Sequence, residues 1–174
     1  MRSLILFASI VTAGAIVCSA GAASPNAGEL SVERGKGAVI LEIRGSVLGR
    51  LGAGSLRVTD TSPRDPFEEL VTGRKVVEER IGPRTVLYRG FGLRFRMVGG
   101  SYRIGARGSG ISLSAVGRGF VTLDGDRKLP TDDTGVYSLT GADCGLEPLL
   151  CLPLPDEPER YAIEPAPEES KARR

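Results

Sequence analysis

Four arginines at alternating positions, Arg94, Arg96, Arg103 and Arg107, are the side chains in this sequence best suited to holding a ligand. Guanidinium groups gathered on one surface grip phosphate, sulfate or carboxylate through paired N–H donors. They lie in a basic middle: from Arg74 to Arg118 ten basic residues face two acidic ones, Glu78 and Glu79. From Asp124 onward acids outnumber bases, although the whole chain of 174 residues carries a formal charge of only +2. Two plainer readings compete with a ligand site. Charges on an exposed sheet face keep strands from pairing with other chains, and the acidic stretch from Asp156 to Glu169 could lie over the patch. Nucleic acid fits poorly, because Phe95 and Tyr102 fall on the apolar side and leave no exposed stacking row.

Catalytic chemistry has little to build on. The chain has no histidine, which excludes Ser-His-Asp and Cys-His arrangements. No mature lysine sits in a Ser-x-x-Lys motif. Glu42, Asp60, Asp65 and Asp124 could converge as a carboxylate pair of the glycosidase kind. Asp60 and Asp124, however, stand at strand ends, where bonds to turn N–H groups explain them more simply. Gly90-Phe-Gly92, Gly108-Ser-Gly110 and Gly117-Arg-Gly119 lack the third glycine and the following helix of a dinucleotide site. Asp124-Gly-Asp126 lacks the further ligands of a calcium loop. No metal or other cofactor is expected.

Of three cysteines, Cys18 lies in an N-terminal segment that reads as a secretory signal. Arg2 opens it, Leu4 to Val17 is its apolar run, and small residues follow to Ser24. Val17 stands where a bacterial lipobox wants a small residue, so Cys18 is expected to leave with a signal spanning 1–23. Cys144 and Cys151 then remain as a disulfide closing a short loop.

The elements that carry these residues read as strands. From Gly90 to Gly125 four alternating runs are punctuated by glycines, which predicts an antiparallel meander. A Gly99-Gly100 hairpin would pair Met97 with Tyr102, Arg96 with Arg103, and Phe95 with Ile104. Leu93, Phe95, Met97, Tyr102, Ile104 and Ala106 then face inward and the four arginines outward. Gly117-Arg118-Gly119 reads as a three-residue turn. Upstream, Gly37 to Arg44, Val47 to Leu51 and Leu56 to Asp60 repeat the pattern, and Arg44-Gly45-Ser46 echoes Arg107-Gly108-Ser109. A hairpin around Gly82-Pro83, a closing strand at 136–139 and a weaker one at 160–163 follow.

The expected fold is therefore all-β: an antiparallel β-sandwich or flattened barrel made of two similar strand–turn–strand units, with a β-solenoid as the alternative. It would occupy 24–163, and the proline- and charge-rich 164–174 would form a disordered tail.

The run from Gly37 through Asp60, the run Leu93-Arg-Phe-Arg-Met-Val-Gly-Gly-Ser-Tyr-Arg, and Ala115-Val-Gly-Arg-Gly together resemble a group of small, uncharacterised exported proteins of high-GC Gram-positive (actinobacterial) type. The likeness covers most of the mature chain. It implies a secreted or envelope location and brings no catalytic residues. The expectation is a non-enzymatic structural or binding module of the cell envelope that meets wall polymer or lipid head groups through Arg94, Arg96, Arg103 and Arg107. An envelope enzyme acting on polysaccharide through converged carboxylates is the rival.

Overall fold

The structure is a computed structural model and describes residues 27–62, 69–129 and 132–165. Seven strands follow one another: β1 (Gly28–Asp60), β2 (Glu69–Gly82), β3 (Thr85–Met97), β4 (Ser101–Gly125), β5 (Val136–Ser138), β6 (Leu152–Pro153) and β7 (Glu159–Ile163). All their pairings are antiparallel, in one open sheet of order β2-β3-β1-β4-β7, with β5 joining β1 to β6.

The unusual elements are β1, with 33 residues, and β4, with 25. Drawn straight, β1 would reach about 110 Å, so it has to crease. It creases at glycines, and β4 creases beside it. Residues 37–44 of β1 lie between two segments of β4, so that Leu41 is the register partner of both Ile104 and Val121. Ala115 of β4 is likewise the partner of both Leu30 and Val47. The two long strands thus interleave, and their segments sort into two leaves. One leaf holds 28–35, 111–117, 45–51, 93–97 and 69–72. The other holds 118–125, 37–44, 101–109, 53–60, 85–91 and 77–82, with β7 at its edge.

Alternation fills the space between the leaves. Leu30, Val32, Val47, Leu51, Leu93, Phe95, Ile111 and Leu113 from the first leaf join Val39, Leu41, Leu56, Val58, Tyr102, Ile104, Val121 and Leu123 from the second in one buried cluster. The buried set changes from even to odd positions between Val32 and Val39, and back between Leu51 and Leu56. The chain rotates at those creases and keeps its apolar side inward.

At one crease Gly54 and Gly108 are register partners, with φ of +143° and +142°. A Cβ on Gly54 would stand 2.0 Å from the Arg107 carbonyl oxygen, and one on Gly108 would stand 2.0 Å from that of Ala53. Neither the dihedral nor the space admits a side chain. Inside the core, Gly49 leaves room for the Phe95 ring, which a Cβ there would meet at 2.3 Å.

The all-β antiparallel class is as the sequence predicts, and so is the segregation of faces: Phe95 and Ile104 are buried while Arg96 and Arg103 are exposed. The sheet is open, which overturns the flattened barrel, and its antiparallel ladders overturn the solenoid. The Gly99-Gly100 hairpin is not formed either. β1 lies between β3 and β4, so Met97 pairs with Val47 and Tyr102 with Ile43. The two glycines do take positive φ, +70° and +87°, but they carry the chain across the Gly45-Ser46 crease. There the Gly45 N–H donates to the Gly100 carbonyl and the Gly99 N–H to Ser46 Oγ. Gly117-Arg118-Gly119 is a crease within β4, not a turn.

The Gly82-Pro83 hairpin and the closing strands β5 and β7 stand where expected. Cys144 and Cys151 form the disulfide, with their Cα atoms 5.7 Å apart. The signal segment 1–23 and most of the tail 164–174 lie outside the described residues.

Gly108→Ala is expected to lower stability by about 3 kcal/mol or more, because it combines backbone strain with a steric clash. Three residues away, Gly105→Ala is expected to be neutral or stabilising by about 0.4–1 kcal/mol, since a Cβ there meets nothing nearer than the Arg57 Cβ at 4.0 Å. Denaturant melts of the two variants check the contrast.

Candidate anion-binding groove

Outward positions of adjacent strands line up in rows across each leaf. On the first leaf one row reads Ser112, Arg50, Arg94, Thr72, each the register partner of the next. The neighbouring row reads Ser114, Leu48, Arg96, Leu70. Above them lies a groove of about 890 Å³, walled on one side by Gly141, Ala142 and Asp143 and on another by Glu33 and Arg34. A contiguous depression shares Arg34, Arg50, Thr72, Arg94 and Ser112 and adds Arg74.

The wall is fastened to the leaf. Ser31 Oγ donates to the Ala142 carbonyl at 2.6 Å, and the Cys144 N–H donates to Glu33 Oε1 at 2.9 Å. Asp143 Oδ1 accepts from the N–H groups of Gly145 and Leu146. Both acids bordering the groove are therefore engaged by backbone. Arg34 adopts φ +54°, a conformation that disfavours a side chain, and its N–H donates to Ser112 Oγ at 3.3 Å. Its guanidinium lies 3.8 Å from Asp133, with both side chains well exposed, so the pair is weak. Arg50, Arg94 and Arg96 are exposed and have no carboxylate partner among the described residues. Arg50 directly opposite Arg94 is a like-charge cross-strand pair, which costs stability.

The four arginines singled out in the sequence are split. Arg94 and Arg96 line this groove, whereas Arg103 and Arg107 lie on the outer face of the other leaf. The inserted β1 separates the two pairs, because the hairpin that would have joined them does not form. Arg103 meets Glu42 at 3.5 Å, and Glu42 also accepts from Arg160 at 3.0 Å. The Arg160 guanidinium stacks 4.3 Å from the Phe120 ring centroid. Arg107 borders a smaller hollow of about 620 Å³ with Arg57 and Arg103, floored by Gly105. Among the described residues, the acidic stretch from Asp156 pairs with Arg127 through Asp156 and contributes β7 at the far edge; it does not cover Arg94 or Arg96.

Arg50, Arg34 and Arg74 were not foreseen. Arg50 is outward by simple alternation from Leu51, but its place beside Arg94 depends on a pairing between residues more than forty positions apart in sequence.

The carboxylates proposed as a rival set are dispersed. Glu42 is held in its two-arginine bridge. Asp60 is buried, accepts the Ser62 N–H at 2.7 Å and faces Arg84 at 3.5 Å, while Arg84 also donates to the Ser62 carbonyl. That is the turn role expected of it. Asp124 lines a third hollow with Asp126 and Asp156, which pair with Lys128 and Arg127. Asp65 lies outside the described residues. Tyr161 donates to Glu159 Oε2 at 2.5 Å; that bond, and the neighbouring Tyr137 hydroxyl, push its phenol well above its usual pKa and keep it protonated. Among the described residues no cluster of His, Cys, Asp and Glu could hold a metal ion. None of their helices is long and apolar enough to cross a membrane, a statement that does not extend to strands.

Comparison with protein-family models, with curated proteins and with solved structures found no match for this chain.

Relieving the like-charge pair is expected to stabilise the free protein. Arg94→Gln should raise the unfolding free energy by about 0.2–1 kcal/mol at low salt, and the gain should shrink as salt screens the pair. Urea melts of both proteins at two ionic strengths read this directly.

Proposed function

We propose that the protein is an exported, non-enzymatic binding module of the cell envelope, and that Arg50, Arg94 and Arg96 hold an anionic segment of a wall polymer or a lipid head group. The observation that carries this reading is the Arg50–Arg94 pair across β1 and β3, left without a carboxylate among the described residues and flanked by the hydroxyls of Ser112 and Thr72. Donors spaced along a row suit a ligand with repeated charges. The groove's volume lies within the range of about 300–1,000 Å³ usual for ligand sites. The Cys144–Cys151 bridge fits an oxidising compartment. The resemblance to small exported actinobacterial proteins, with the signal-like first 23 residues, adds to that location.

Retention on immobilised inorganic polyphosphate and on phosphatidylglycerol vesicles tests the assignment and separates its two sources. Replacing Arg50, Arg94 and Arg96 with Gln is expected to weaken retention at least about tenfold, as loss of charge-assisted bonds does. Replacing Arg103 and Arg107 should change it little. Equal retention of the wild type and the groove variant would discard the proposal.

A further inference from the structure

The loop between the two cysteines exposes its apolar side chains. Leu146 is 81% exposed, Leu149 98% and Leu150 55%, Leu152 just beyond Cys151 is 58% exposed, and the 3₁₀ turn at Pro148–Leu150 buries none of its residues. Such a tip on a slack loop would mean little, but this one is built to hold its shape. The disulfide closes its base. Ser31 and Glu33 fasten its entry at Ala142 and Cys144, and the buried Leu154, whose N–H donates to the Gly135 carbonyl, fastens its exit. A preorganised apolar projection loses little entropy on docking and is costly to leave in water.

Glu147 stands among the leucines, and Asp143 at the base is engaged with backbone N–H groups. The projection is therefore apolar with an acidic centre, which disfavours an anionic membrane. Its complement is an apolar recess bearing unpaired cations. The arginine groove has that character, with Leu48 59% exposed and Leu70 60% exposed beside Arg50, Arg94 and Arg96. Asp143 belongs both to the groove wall and to the base of the projection, so the two features are neighbours. Neighbouring complementary features suit a two-fold exchange, in which each copy's projection enters the other's groove.

We propose that the stapled loop 144–151 of one copy docks in the arginine groove of a second, giving a reciprocal dimer in which the partner copy and the anionic polymer compete for the same arginines. The inference rests on the groove being an acceptor for acidic ligands.

Sedimentation velocity of the mature protein, unreduced, tests it. The wild type is expected to dimerise. Leu149→Ser with Leu150→Ser should weaken dimerisation about thirtyfold, the loss from removing buried interface anchors. These side chains are exposed in the monomer, so its fold should be unaffected. Glu147→Arg should also weaken the dimer, and adding Arg94→Glu should restore it. Polyphosphate should dissociate the wild-type dimer and bind the leucine variant at least as well as the wild type. A wild type that stays monomeric up to its solubility limit overturns the dimer, whether or not it floats with phosphatidylcholine vesicles, an outcome that would make the leucines a lipid anchor. A dimer indifferent to the charge reversals overturns the pairing of loop with groove. Polyphosphate retention by a monomeric wild type would leave the groove's function standing, and a dimer without retention would remove that function alone.

Discussion

Nothing larger than a hydrogen atom fits where β1 and β4 cross from one leaf to the other. At Gly54 and Gly108 each backbone presses a carbonyl oxygen against the Cα of its partner, 2.0 Å from where a Cβ would stand. Gly45 and Gly117, also register partners, are crowded in the same way: a Cβ would meet the Val116 carbonyl at 2.1 Å and the Arg44 carbonyl at 2.4 Å. The creases let two strands, each too long for a domain of this size, pair almost end to end and still enclose one core. The register that follows decides which side chains meet.

Interleaving separates sequence neighbours and joins distant residues. β1 passes between β3 and β4, so the arginines of 94–96 and of 103–107 go to different leaves. The same insertion sets Arg50 against Arg94. On the second leaf Glu42 bridges Arg103 and Arg160. On the first leaf the nearest acids, Glu33 and Asp143, are engaged with backbone, which leaves the guanidinium groups of Arg50, Arg94 and Arg96 without an acid among the described residues.

Much of the architecture was legible in the sequence because alternation is local. The inward set from Leu93 to Ala106, the outward arginines, the Gly82-Pro83 hairpin and the Cys144–Cys151 bridge all follow from neighbours a few residues apart. The path of the sheet was not. A glycine pair supplies positive φ to a two-residue hairpin and to a crossing connection alike, and nothing at Gly99-Gly100 distinguishes them. The glycines at 117–119, read as a turn, proved to be a crease, because the presence of a second chain segment against the Cα cannot be seen locally. The groove shared this fate: Arg94 and Arg96 were recognisable as outward, but Arg50 became their neighbour only through a pairing that spans β2 in sequence.

The insertion of β1 between β3 and β4 is the claim on which the core, the groove and the division of charge all rest. Nuclear Overhauser contacts in uniformly labelled, disulfide-intact protein test it most directly. The account predicts cross-strand backbone contacts from Val47 to Met97 and from Ile43 to Tyr102, with the Gly54 and Gly108 Hα protons close together. Ladder contacts between Met97 and Tyr102 and between Phe95 and Ile104, with none from either strand to β1, would contradict it.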